Sequence, residues 1–141
     1  MFSNDRNQLR KMFFSSWKKF RAGEVMEPLE QMVAQIIEQH PEYHKLLSDE
    51  DTYLDKDYSP DLGETNPFLH MSMHIAIVEQ LSTDRPAGIK ALYQQLVTKY
   101  SDSHSVEHHI MECLGQMMWE AQQNQATPDE QQYMECLRKL L

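Results

Sequence analysis

The chain has 141 residues, 40% of them hydrophobic and 25% charged, with four glycines and six prolines. This is ordinary globular composition, which argues against disorder, and an all-β fold would usually need more turn residues. The net charge of −9 is uneven, with six cations and one acid in residues 1–23 against seven cations and 21 acids in the rest, so the body is repelled by nucleic acid and by anionic membranes and only the N-terminal segment opposes that.

A first helix is predicted from about Ser3 to Ala22, capped by Ser3 or Asn4 and ended at Gly23. Leu9, Phe13, Trp17 and Phe20 form its apolar stripe, and lysines and arginines surround it. A second helix starts near Pro28 and stops at Pro41, which puts His40 at its end; Leu29, Met32, Val33, Ile36 and Ile37 are its core face. A helical turn over Glu42 to Leu47 is expected next. Residues 48–65 read as a solvated acidic loop with Asp49, Glu50, Asp51, Asp55, Asp57, Asp61 and Glu64. Asp55, Asp57 and Ser59 have the alternation of a calcium loop, but Pro60 stands where glycine is needed and Asn66 where glutamate is needed, so that motif fails.

Asn66-Pro67 is a strong helix start, and the helix continues to about Leu81. Asp84-Arg85-Pro86 begins another, with Ile89, Leu92, Leu96 and Val97 inward. Asp102 or Ser103 caps a long helix to about Asn124, and Thr127-Pro128-Asp129-Glu130 opens the last one. The expected fold is all-α: a single compact bundle of about five helices, mostly antiparallel, forming one domain over residues 1–141.

Two helices carry the chemistry. On the helix from Pro67, His70 and His74 fall one turn apart inside an arc of Met71, Ile75, Val78 and Leu81. A helix this apolar sits centrally, and buried imidazoles need partners. On the long helix from His104, the core face is Val106, Ile110, Cys113, Leu114 and Met117, while His104, His108, Glu112, Gly115 and Trp119 line the other side. Imidazole and carboxylate suit zinc, iron or manganese, and helical bundles build such centres from facing helices. The expected ligands are His70, His74, His108 and Glu112, with His104 and Glu30 as supports and His40 or His44 able to complete or orient the set. The alternative is a non-enzymatic interaction bundle whose histidines form a structural polar network. No reaction is named by either reading, since zinc-protease, phosphate-loop and nucleophile-elbow motifs are absent.

Cys113 and Cys136 form no CxxC pair, no apolar run has membrane length, and a secretory leader is not expected. Both are expected as reduced thiols in the cytoplasm. The basic, aromatic first helix has two readings, packing on the body or binding a protein partner through residues 1–23.

His40-Pro41-Glu42-Tyr43-His44, Gly63-Glu64-Thr65-Asn66-Pro67-Phe68-Leu69-His70, and the stretch from His108-His109-Ile110-Met111-Glu112-Cys113 to Trp119-Glu120-Ala121-Gln122 resemble a bacterial family catalogued as a domain of unknown function, number 1841. The likeness covers nearly the whole chain. It implies a bacterial cytosolic protein and carries over no activity.

Overall fold

The structure is a computed structural model that describes residues 2–59 and 65–141, with residues 2–5 as backbone only. Among the described residues the regular elements are all helical. Among the described residues eight α-helices form rather than about five. Six lie where the sequence signals a substantial helix; the other two are single turns. Contacts divide the chain into two compact units, Met1–Ile75 and Ala76–Leu141.

In the first unit, α1 (Phe2–Ala22) ends at Gly23, which adopts φ 71°. Its buried stripe is Phe13, Phe14 and Trp17, with Leu9 43% and Phe20 38% exposed, so the stripe is narrower than expected. Arg10 is a second correction. Read as one of the cations surrounding the stripe, it is itself 2% exposed, because it stands three, four and seven residues before those aromatics and shares their face. Helix α2 (Pro28–Glu38) has proline in its first turn and packs against α1 with Val33, Ala34, Ile36 and Ile37 buried. The Glu30 carboxylate accepts from the Glu27 N–H at 2.8 Å and from Lys19 Nζ at 2.7 Å, joining α2 to α1.

Pro41–Tyr43 makes a 3₁₀ turn leading into α3 (His44–Leu47), as the expected turn required. Part of the acidic loop is helical: α4 (Glu50–Tyr53) is capped by Asp49, whose carboxylate accepts from the Thr52 N–H. The loop is also tied to α1. Arg6 pairs with Asp57, Asn7 Nδ2 donates to Asp55 at 2.9 Å, and Arg10 Nη1 donates to the Leu54 and Lys56 carbonyls at 2.9 and 2.7 Å. Pro60, Asp61 and Glu64 lie outside the described residues. Helix α5 (Pro67–Thr83) starts where predicted, and the Asn66 side chain accepts from the Phe68 and Leu69 N–H groups at 3.0 and 3.2 Å. Phe68 meets Phe13 and Phe14 at ring distances of 5.9 and 5.7 Å, closing a core with Trp17, Val33, Ile37 and Met71. The boundary between the units falls inside α5.

In the second unit, α6 (Ile89–Tyr100), α7 (Ser103–Gln123) and α8 (Glu130–Arg138) pack pairwise. Helix α6 begins later than Pro86. Asp84 folds back and its carboxylate accepts from the Gly88 and Lys90 N–H groups at 3.3 and 3.0 Å, capping the helix from upstream. Helix α8 also starts later than expected, after Asp129, which accepts from Gln131 and Gln132. Asp102 caps α7 through the His104 N–H. The inward faces carry Ile89, Leu92 and Leu96 on α6, Val106, Ile110 and Leu114 on α7, and Tyr133 and Leu137 on α8. Tyr133 Oη donates to Gln80 Oε1 at 2.7 Å, and burial holds its phenol well above the usual range.

The expectation of two reduced thiols is overturned: Cys113 and Cys136 form a disulfide, with Cα atoms 5.8 Å apart, that joins α7 to α8. Their positions on facing helices decide this, and sequence spacing does not report it. The compartment expected from those thiols loses that support. No helix among the described residues is long and apolar enough to cross a membrane.

Candidate metal centre

The described residues of the first unit bring three imidazoles together. His70 and His74 stand one turn apart on α5, with ring centroids 4.9 Å apart. His40 leaves the end of α2 and reaches them at 5.1 and 4.7 Å. Each offers a ring nitrogen, and these donor atoms lie within 4.8 Å of one another. Donors on one ion sit about 3–4 Å apart, since each bond is near 2 Å, so a bound ion would draw this set closer. His40 and His74 are each 2% exposed, and His70 is half-buried.

Local structure explains the placement. Pro41 cannot continue α2, so the chain turns and His40 stays on the face that Val33, Ile36 and Ile37 bury. His40 Nδ1 lies 2.7 Å from the Ile36 carbonyl. A carbonyl only accepts, so Nδ1 carries the proton and Nε2 is the basic nitrogen. A backbone acceptor behind the ring is the usual support of a metal-bound histidine. Tyr43 stacks on His40 at 5.6 Å and meets His70 edge-on at 6.2 Å; burial, then the Glu42 charge, raises its phenol above the ordinary range.

His44, the other candidate on this turn, is oriented differently. Its Nε2 donates to the Ile37 carbonyl at 2.8 Å, and its ring packs on Trp17 at 4.4 Å. Glu30 is bonded to Lys19 and to the Glu27 N–H. Lys19 and then that backbone bond hold its carboxyl below the usual range. On α7, the rings of His104 and His108 are 4.3 Å apart, with His104 exposed and His108 half-buried. Glu112 is exposed, and Trp119 is 57% exposed, so this side of α7 is wetter than its tryptophan suggests.

Sequence reasoning thus placed His70 and His74 correctly on a packed face and gave His40 only an auxiliary part. The available signal for His40 was its spacing of four from Ile36, which continues the buried face of α2 up to the proline.

No curated protein matches the chain, and no solved structure does. The family described as a domain of unknown function, DUF1841, matches residues 5–139. The chain therefore belongs to the DUF1841 family.

Proposed function

We propose that this protein binds a divalent transition metal through His40, His70 and His74. The observation that carries the reading is the convergence of three imidazoles, two of them 2% exposed, with donor atoms within 4.8 Å. Imidazole nitrogens are ordinary ligands of such ions. Among zinc, iron and manganese, an all-imidazole set favours zinc and then iron, while manganese prefers oxygen donors. Three protein donors would leave a position for water, as in catalytic zinc sites.

Untagged protein dialysed against zinc and analysed for metal tests this. The expected result is one ion per chain, a higher unfolding midpoint, and added stability of about 2.7 kcal/mol when free zinc is a hundred times the dissociation constant. His70→Ala and His74→Ala should each weaken binding by roughly tenfold or more, since each removes a direct ligand. Substoichiometric metal with no thermal shift would overturn the proposal.

The second reading is a purely structural imidazole network. The His40–Ile36 bond and the stacking on Tyr43 favour it, because both hold the ring without an ion. On that reading added zinc leaves the midpoint unchanged.

A further inference from the structure

We propose that the Cys113–Cys136 bond is a reversible thiol-exchange site, entered at Cys136 by a small uncharged or cationic thiol.

Both cysteines line a cavity of about 300 Å³ between α7 and α8. The two cysteines differ in exposure. Cys113 lies on the buried face of α7, 3% exposed, whereas Cys136 on α8 is half-buried. Exchange needs a thiolate to approach one sulfur along the bond, so access selects Cys136 as the sulfur attacked and Cys113 as the leaving thiolate. The cavity wall is charged. Glu120 and Glu135 face it against the single cation Lys139, and Gln116 Nε2 holds Glu120 in place at 2.7 Å. The excess of one carboxylate repels an anionic thiolate reagent and attracts one that carries an ammonium group.

The chemistry balances with two thiols. A first thiolate bonds to Cys136 Sγ while the Cys113–Cys136 bond breaks, and the Cys113 thiolate takes a proton from water. A second thiolate attacks the reagent's sulfur in that mixed disulfide. This releases a small-molecule disulfide and leaves Cys136 reduced. Two electrons pass to the protein, and two thiols become one disulfide. The same small disulfide reverses the sequence and restores the link between α7 and α8.

The test uses the full chain under native conditions with three thiols of similar size: cysteamine, 2-mercaptoethanol and mercaptoacetate. Rates are compared per thiolate, after correction for thiol basicity. Reduction should be linear in thiol concentration, and cysteamine should outpace mercaptoacetate by about fivefold, the effect of two charge units near one net carboxylate in water. Glu135→Gln should remove most of that difference. Samples quenched by alkylation during the cysteamine reaction should carry the adduct on Cys136 and the alkyl group on Cys113. A rate that does not depend on thiol concentration would mean that the bond opens only by unfolding, and would overturn the proposal. Adducts on Cys113, or mercaptoacetate matching cysteamine, would overturn it as well.

Discussion

Arg10 places a cation where only its partners make one tolerable. Its guanidinium is buried, donates to two backbone carbonyls, and lies over the Phe68 ring at 4.8 Å and the Tyr58 ring at 5.7 Å. Desolvation, followed by repulsion from Arg6, lowers its pKa, yet an arginine stays protonated. Arg10→Met should therefore cost about 3 kcal/mol, because it strips two carbonyls of charge-assisted donors while keeping much of the side-chain volume. Urea unfolding measures this, and a cost below about 0.5 kcal/mol would show that water replaces the guanidinium. His40 follows the same logic at the candidate centre. Its ring is fixed by the carbonyl one turn earlier, so its basic nitrogen is set before any ligand arrives. Neither role shows in a periodicity. A polar residue on an apolar face announces that partners exist, and it does not say which.

At the scale of the helices, caps decide where each one begins. Asn66, Asp102 and Asp129 each accept from N–H groups two or three residues on, the geometry that satisfies orphan donors at a helix start. Those starts are legible because capping is local. Helix α6 is the exception: Asp84 reaches the Lys90 N–H six residues later, so the signal at Asp84-Arg85-Pro86 overstates the helix by one turn. The Lys90 and Gly88 backbone bonds hold the Asp84 carboxyl below its usual range, and Lys19 does the same for Glu30. A depressed folded pKa contributes stability that is complete above the unfolded value and lost as pH falls through the folded one. The unfolding midpoint should therefore drop as pH falls below about 4, the ordinary carboxylate range. Asp84→Asn should flatten that slope in a series of thermal melts between pH 5 and 2, and an unchanged slope would remove Asp84 as a contributor.

Across the whole chain, the largest departure from expectation is the link between α7 and α8. The two cysteines are 23 residues apart in sequence, and joining them removes freedom from the unfolded chain. A loop of that length corresponds to about 3 kcal/mol in the chain-entropy account. Cys136→Ser should lower stability by roughly that amount in calorimetry or urea titration, with helical content kept. An equal midpoint for the variant and the wild type would show that the bond adds nothing. The aromatic stripe of the basic first helix belongs to a core: Phe13, Phe14 and Trp17 are buried with residues of α2, α3 and α5. The sequence alone determined the all-helical class, the extents of most helices, and the placement of His70 and His74 on an apolar face. Each of these follows from a 3.6-residue period, a capping side chain or a proline, and all act within a turn or two of the chain. Only the tertiary structure decided that His40 meets His70 and His74, that Arg10 meets carbonyls 44 and 46 residues away, and that Cys113 meets Cys136. Those meetings depend on how helix faces dock in space, which no local pattern encodes.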